Sequence, residues 1–184
     1  MKTLLGPDEV ARGLRRVAGE IVERHRGLDR VAVIGIRRGG IPVAKQLIKW
    51  LTELEGRPIP FGSVDITLYR DDAATALANP RIGPSDVPMQ VAGASIVLVD
   101  DVLFTGRTVR AALDALLDYG RPRTIELACL VDRGGRELPI QADYVVRRAD
   151  IAPHERVDVV GTEQELCAVV QPTDAPTLPP AELR

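Results

Sequence analysis

Apolar positions recur every three or four residues in three stretches of the chain, which is the pattern of an amphipathic helix. In residues 8–26 this spacing gives one apolar face, and charged side chains occupy the rest of the surface; that face contains Val10, Leu14, Val17, Ile21 and Val22. Residues 42–53 and 107–119 predict two further helices. Pro42 suits a first helical turn, and Gly120 with Pro122 would stop the last helix.

Nearly continuous apolar runs predict strands that are covered on both faces. They occupy residues 31–36, 64–69, 96–99, 125–131 and 142–146, and two late or edge strands follow at 157–160 and 166–170. Strands that alternate with helices indicate βαβ units, a mostly parallel sheet and a Rossmann-like α/β fold. Ligands bind at the carboxyl ends of such strands. The loops at 37–40, 69–72, 100–108 and 131–136 all follow strands, and we expect them to meet at one edge.

Proline and glycine divide the remaining sequence. Residues 71–93 contain Pro80, Pro84 and Pro88 with few large apolar side chains. We expect a long mobile loop there, since loops of this length in a compact domain are often functional lids. The Pro-rich segment 171–184 is expected to be a loosely packed tail. Residues 1–170 are therefore predicted to form a single domain.

Composition indicates the cellular location and the partners of the protein more than its activity. The 184 residues are 45% apolar and 27% charged, with a formal net charge of −2. That balance gives no global attraction to nucleic acid or to an anionic membrane. The N-terminus lacks the apolar core of a signal peptide, and no apolar run reaches transmembrane length. We expect a cytoplasmic protein with no membrane partner. Cys129 and Cys167 lie in apolar runs, which predicts buried thiols rather than a zinc site.

The segment "IVLVDDVLFTGRT", residues 96–108, carries the strongest chemical signal. Its apolar run is expected to end at Asp100 and Asp101, and a small turn then starts a helix. A helix N-terminus offers backbone N–H groups and a positive dipole end, which suit a phosphate. The two carboxylates would repel a phosphate, but they suit a sugar diol or Mg²⁺ held through water. Together they suggest a site for a ribose 5-phosphate.

Two other interpretations of this segment use the same residues. Asp101 or Thr105 could be a helix N-cap. The strand could also belong to a P-loop ATPase, but that class needs a Gly-rich loop ending in Gly-Lys-Ser/Thr, and the sequence has none.

"VLVDDVLFTGRT" resembles the phosphoribosyl-pyrophosphate (PRPP) signature of type I phosphoribosyltransferases. Together with "DITLYRDD" (65–72), "GRP" (120–122) and "LVDRGGRELPIQADY" (130–144), it resembles the PyrR family of pyrimidine-operon regulators, which are also uracil phosphoribosyltransferases. The similarity runs from about residue 10 to 143. It implies the type I fold with a small hood and a mobile loop, conversion of uracil and PRPP to UMP and pyrophosphate, and uridine-nucleotide-dependent binding to a pyrimidine (pyr) mRNA leader. It also implies a homo-oligomer, a dimer or higher.

The resemblance assigns roles residue by residue. The PRPP-binding residues would be Asp100, Asp101, Val102, Leu103, Phe104, Thr105, Gly106, Arg107 and Thr108. The pyrophosphate loops would contain Arg37, Arg38, Gly39, Gly40 and Arg70, and the nucleotide site Arg133 and Val157. The candidate RNA face would contain Arg16, Arg136, Arg147 and Arg148. No residue is expected to bind metal directly, because Mg²⁺ would arrive with PRPP near Asp100 and Asp101.

The sequence departs from the family pattern in three places. Arg38, Gly39 and Gly40 stand where Thr-Arg-Gly is usual, so the arginine nearest pyrophosphate is displaced. Glycines stand at 19 and 135 where histidines are usual, and "RRADIAPHERV" (147–157) replaces another basic segment. Two rival hypotheses therefore accompany the first: an RNA-binding regulator that keeps a nucleotide sensor pocket with little catalysis, and a phosphoribosyltransferase for another base.

Overall fold

The computed structural model describes residues 1–71 and 85–176, and these contain eight strands and three helices. In chain order they are β1 Lys2–Leu5, α1 Pro7–His25, β2 Val31–Ile36, α2 Gly40–Glu55, β3 Phe61–Val64, β4 Ser95–Leu103, α3 Arg107–Leu117, β5 Thr124–Asp132, β6 Tyr144–Arg148, β7 Glu155–Gly161 and β8 Leu166–Pro172. All three predicted helices are present within two residues of their expected bounds. The remaining predictions in residues 72–84 and 177–184 lie outside the described residues.

A five-stranded parallel sheet forms the centre of the fold, in the order β3-β2-β4-β5-β6. Every residue of β2 is buried, as its continuous apolar sequence predicts. Helices α1 and α2 pack on one face of the sheet and α3 on the other, and each face has its own apolar cluster. The predicted α/β architecture is confirmed.

A second, antiparallel sheet of order β1-β8-β7 forms the expected hood. Strand β1 was not predicted, because four residues are too few to show a period. It forms by pairing with residues 168–170 of β8, a contact between the two ends of the chain that no local pattern encodes. Strand β8 continues through Pro172, two residues past the predicted domain boundary at 170.

Helix α1 lies unusually close to the edge strand β6. A Cβ on Gly13 would be 2.2 Å from Val146 Cγ1, so the approach requires glycine at this position. The helix begins after Gly6, whose N–H donates to Glu9 at 2.9 Å, and it ends at Arg26 in a left-handed conformation. Close packing on β6 fixes the outer edge of the sheet against the first helix.

Strand β3 corrects the prediction of a strand at 64–69. The strand ends at Val64, and the next residues form a turn in which Thr67 N–H donates to the Asp65 carboxylate at 2.8 Å. The N–H of Asp65 itself donates to Ser85 Oγ at 2.9 Å instead of to a neighbouring strand. Short polar side chains that bind local backbone in this way compete with sheet hydrogen bonds.

Strand β4 corrects a second boundary. It does not end at Asp100 and Asp101 but continues to Leu103, because Val102 and Leu103 remain paired with residues 131–132 of β5. In the same way β6 begins at Tyr144 rather than at 142.

The expectation of two buried thiols has a mixed outcome. Cys129 is buried as expected, whereas Cys167 is half-buried, and both are free thiols. In the part of the chain that the structure describes, no helix is long and apolar enough to cross a membrane.

Candidate active site

Four loops meet at the carboxyl ends of the central strands, as the parallel topology requires. They follow β2, β3, β4 and β5, and the hood strand β7 contacts β4 above them. The loops after β2 and β3 are joined directly, since Arg37 N–H donates to the Val64 carbonyl at 2.9 Å. The predicted meeting of the loops at 37–40, 69–72, 100–108 and 131–136 at one edge is confirmed for the residues that the structure describes, which end at 71 in the second loop.

The paired acids lie at the centre of this edge with little access to water. Asp100 is buried, and its carboxylate accepts the N–H of Asp101 at 3.0 Å, while the Asp101 carboxylate accepts the N–H of Val102 at 2.9 Å. Burial, with the adjacent Asp101 charge, raises the pKa of Asp100 well above its usual value. Burial also raises the pKa of Asp101, to which Asp158 of the hood adds, although hydrogen bonds oppose the change. Two desolvated carboxylates in contact form a site suited to cations or hydroxyl donors.

The loop at 37–40 packs directly on these acids. A Cβ on Gly39 would lie 2.0 Å from Asp101 Oδ2, and one on Gly40 would lie 2.3 Å from the Val99 carbonyl oxygen. Arg38 is exposed, and the Arg37–Arg38 peptide bond is cis. The two glycines therefore bring the backbone of this loop against the carboxylate pair.

The turn at 105–108 presents the start of α3 to the same edge. Gly106 is the N-cap, with φ of 91° and no side-chain cap, so the hypothesis that Asp101 caps the helix is wrong. Thr105 Oγ1 accepts the Arg107 N–H at 3.3 Å, which gives Thr105 part of the capping role. The first helical hydrogen bond is from Arg110 N–H to the Gly106 carbonyl, so the N–H groups of Thr108 and Val109 precede it. Such N–H groups at the positive end of a helix dipole form an anion site.

The loop after β5 braces this turn from the side. The Thr105 carbonyl accepts the N–H groups of Glu137 and Leu138 at 3.0 and 3.1 Å. Arg136 donates to the Phe104 and Ile140 carbonyls, each at 2.8 Å, and to Asp132 at 2.7 Å. Arg136, predicted for an RNA face, thus has its donors occupied within the candidate active site.

The candidate nucleotide-binding residues lie beside the loop after β5. The Arg133 guanidinium carbon is 4.1 Å from the centroid of the Phe104 ring. Its Nε is buried without a hydrogen-bond partner in the described residues, and burial lowers the pKa of Arg133 while Glu155 of β7 opposes the change. Val157 is buried in β7, two residues from Glu155. An orphaned donor beside an aromatic ring is a suitable place for an acceptor on a flat ligand.

The four arginines predicted for an RNA face do not form one patch. Arg16 and Arg147 line a cavity of about 340 Å³ between α1 and β6, together with Arg12 and Gly13. Arg148 follows Arg147 on β6, so its side chain leaves the opposite face of the sheet. Arg136 lies apart, in the loop described above. Arg16 also donates to the Val145 and Val146 carbonyls at 3.0 and 3.1 Å, which covers the open edge of the sheet.

Sequence reasoning missed three residues that contribute to this edge. Asp71 and Arg110 form ion pairs at the foot of the loop after β3, and Asp158 of the hood adds negative charge near Asp101. The signal for Arg110 was present in the sequence, since Arg107, Arg110 and Asp114 have helical spacing. Asp158 gave no such signal, because the hood reaches the sheet only through tertiary packing.

The chain matches the family model "Phosphoribosyl transferase domain" over residues 3–162. It is 52% identical to "Bifunctional protein PyrR" of Deinococcus radiodurans, covering 92% of each chain. It is 50% identical to the protein of the same name from Pelotomaculum thermopropionicum, covering 85% of this chain and 86% of that one.

Among solved structures, the fold is similar to the hypoxanthine phosphoribosyltransferase of Trypanosoma cruzi, with a TM-score of 0.67, 19% identity, and coverage of 91% of this chain and 95% of that one. That likeness supports the type I fold alone. The domain model matches most of this chain, and the bacterial relatives are about half identical over most of their length. The chain therefore belongs to the PyrR family of the phosphoribosyltransferase domain.

Proposed function

We propose that this protein transfers the phosphoribosyl group of PRPP to uracil, forming UMP and pyrophosphate, and that it also regulates pyrimidine gene expression. The observation that carries the first part is the pair of buried Asp100 and half-buried Asp101 beside the start of α3, whose N-cap Gly106 has no side chain. An acidic pair next to an anion site matches a ribose that carries a 5-phosphate. The arginine-bearing loops at 37–40 and 69–71 add positive charge for a second, larger anion.

In the proposed reaction, the bond between C1 of the ribose and the pyrophosphate oxygen breaks, and a bond from uracil N1 to C1 forms. Uracil loses the N1 proton to solvent, and pyrophosphate leaves with the electron pair of the broken bond. Asp100 and Asp101 would accept hydrogen bonds from the ribose hydroxyls, and the turn at 105–108 would bind the 5-phosphate. Arg37, Arg38 and Arg70 would stabilise the charge of the leaving pyrophosphate, and preorganised charge of this kind is a major source of catalysis.

The residues present also suit Mg²⁺ as a cofactor that accompanies PRPP. The carboxylate oxygens of Asp100 and Asp101 are donors of the type that Mg²⁺ takes, and the contacting pair would hold the ion through its waters. When bound, the ion would neutralise charge on the diphosphate. The protein's contribution is to orient the sugar between the acids and the start of α3.

Arg133 and Phe104 would line the base site, with Val157 above them. The orphaned Arg133 Nε can donate to a carbonyl oxygen, and both uracil and orotate carry such oxygens. The test is turnover of PRPP with uracil, orotate, hypoxanthine and adenine supplied separately. The proposal expects UMP from uracil at the highest rate. Turnover of another base but not of uracil would assign a different transferase activity. Turnover of none of the four bases would favour a regulator that only senses nucleotide.

The regulatory part rests on a basic groove rather than on net charge. Arg12, Arg16 and Arg147 line one cavity between α1 and β6 together with Glu9, which pairs with Arg147 at 3.3 Å, so the cavity keeps a net positive charge. Arginine contacts to phosphates supply most affinity for RNA. We propose that this groove contributes to binding of a pyr mRNA leader when a uridine nucleotide is bound. A gel-shift titration with leader RNA, with and without UMP, tests it; equal affinity for an unrelated RNA of the same length would oppose it.

Two further features are proposed with this function. We place the protein in the cytoplasm, because its proposed substrate PRPP and its proposed mRNA partner are found there. We also propose a homo-oligomer, a dimer or higher, as in the family pattern. Light scattering at several protein concentrations measures the mass directly, and a monomer at all concentrations would oppose this part.

A further inference from the structure

The foot of the loop after β3 is bound to the outer face of α3 at several points. Arg110 donates to the Tyr69 carbonyl at 3.2 Å and to Asp71 Oδ1 at 2.5 Å. Arg107, one helical turn earlier, donates to Asp71 Oδ2 at 2.7 Å. The Tyr69 hydroxyl donates to Asp118 near the end of the same helix. Residues 69–71 are therefore fixed to a rigid element at both ends.

Asp71 is the central residue of this arrangement, because each of its carboxylate oxygens accepts from a different arginine. Arg107 continues the network by donating from Nε to Glu137 at 2.6 Å, in the loop that braces the turn at 105–108. The network thus joins the loop after β3 to the helix start and to the loop after β5. Exposed ion pairs contribute little to the free energy of unfolding. Stability of the fold is therefore a poor explanation for two arginines that bind the same carboxylate, Asp71.

The consequence concerns Arg70, which lies between the two anchored residues. Its neighbours Tyr69 and Asp71 are both bound to α3, so the backbone at Arg70 has a defined path along the edge of the site. A cationic side chain that must meet a diphosphate gains affinity when its backbone is ordered before binding.

We propose that Asp71 and Arg110 are a positioning pair that places Arg70 for the pyrophosphate portion of PRPP. This inference rests on the proposed function, since it assumes that Arg70 faces pyrophosphate. It adds two residues that do not touch the substrate and act through the backbone of Arg70. The pair should therefore matter for ligands that contain a diphosphate and not for UMP.

The experiment compares the variants Asp71→Asn and Arg110→Met with Asp114→Asn as a matched control. Asp114 is the other carboxylate partner of Arg110, at 2.7 Å on the same helix, and its removal leaves both contacts to Asp71 in place. Binding of pyrophosphate, PRPP and UMP is measured by calorimetry, and KM and kcat for PRPP are measured separately.

Each positioning variant should raise KM for PRPP and Kd for pyrophosphate about five- to tenfold, the size expected for losing a network of exposed ion pairs. The Kd for UMP should stay within twofold, and Asp114→Asn should match the unmodified protein in all three. The double variant should lose no more affinity for pyrophosphate and PRPP than the worse single variant. Arg110→Lys should bind both ligands more tightly than Arg110→Met, because lysine keeps one charged donor.

Arg70→Gln separates failure of this inference from failure of the proposed function. If Arg70→Gln weakens pyrophosphate binding while Asp71→Asn and Arg110→Met do not, the positioning pair is refuted and the role of Arg70 stands. If Arg70→Gln leaves pyrophosphate and PRPP binding unchanged, both the role of Arg70 and the positioning pair are refuted. Equal weakening of UMP and pyrophosphate in the two positioning variants would indicate a general structural role and overturn the proposal.

Discussion

A Cβ placed on Gly39 would lie 2.0 Å from Asp101 Oδ2 and 2.4 Å from Asp101 Cγ, so the loop after β2 and the carboxylate after β4 are in direct contact. No real side chain fits at that distance. The contact makes Gly39 a determinant of the Asp101 geometry, although glycine has no functional group. It also explains how a loop that departs from the family pattern can still reach the centre of the site.

Gly39→Ala should therefore displace the Asp101 carboxylate and disrupt its hydrogen bond to Val102. We expect kcat/KM for PRPP to fall by about 100-fold, since a shift of roughly 1 Å in a positioned group can cost that much. The measurement is steady-state kinetics with PRPP varied at saturating uracil. Gly19→Ala is the control, because a Cβ there has no atom within 4 Å. An unaltered kcat/KM in Gly39→Ala would contradict the assignment of Asp101 to the ribose.

Asp100→Asn should stabilise the protein while removing its proposed activity. The ionised carboxylate is buried against Asp101, which raises its pKa, so at neutral pH the folded state bears a penalty that the unfolded state does not. Asparagine keeps an acceptor for the Asp101 N–H without the charge. We expect a gain of about 1–3 kcal/mol in the free energy of unfolding, as for relief of a buried polar group with poor compensation.

Urea denaturation across pH checks the sign of this effect. For a carboxyl whose folded pKa is raised, the penalty is full above the folded pKa and disappears below the unfolded value of 3.8. The free energy of unfolding of the variant should thus exceed that of the unmodified protein most clearly at neutral pH. The two free energies should converge at about pH 3 if both proteins still fold there. A less stable Asp100→Asn at pH 7 would contradict the inferred desolvation.

The sequence located the paired acids and the helix start of the central motif because their signal is local. Acids after an apolar run and a Thr-Gly-Arg-Thr turn before a helix are visible without knowledge of contacts, and the parallel topology follows from the alternation of elements. The strand at 64–69 was wrong because Asp65 and Ser85 bind the backbone that a strand would have used. Apolar periodicity does not record that competition.

Other features depended on residues that are far apart in the chain. Arg136 was assigned to an RNA face by the family resemblance, but its donors reach Phe104 and Ile140 through the fold. The positions of Arg16 and Arg147 together, and of Arg148 on the opposite face, follow only from how α1 packs on β6. Charge can be counted from the sequence, whereas the partner of each charge requires the structure.

Glu126 forms a buried polar cluster at the opposite end of the sheet from the site. It accepts hydrogen bonds from Tyr144 at 2.7 Å and, with the proton on Nε2, from His25 at 2.9 Å. Burial alone would raise its pKa, but the Tyr144 and His25 contacts and the charge of Arg24 lower it overall. Glu126→Gln should reduce the free energy of unfolding by roughly 3 kcal/mol at pH 7, as for other broken buried pairs.

The pH dependence of this loss distinguishes it from a simple packing defect. A carboxyl with a lowered folded pKa stabilises the protein above the unfolded pKa, here 4.5, and that stabilisation is lost as the pH falls through the folded value. The difference between the two proteins should thus shrink below about pH 4. Glu20→Gln, which removes an exposed pair with Arg16, is the control and should change stability little. A gap that persists unchanged at low pH would show that the Glu126 charge is not responsible.

Gly13 and Val146 allow a test of how α1 is seated on β6. Gly13→Ala places a methyl group 2.2 Å from Val146 Cγ1, so the helix or the edge strand must move, and overpacking of this type costs about 1–3 kcal/mol. Val146→Ala removes the obstructing methyl groups. The double variant should therefore recover most of the stability lost in Gly13→Ala, measured as the free energy of unfolding in urea. If the two losses simply add, the close contact of α1 with β6 is not the source of the destabilisation.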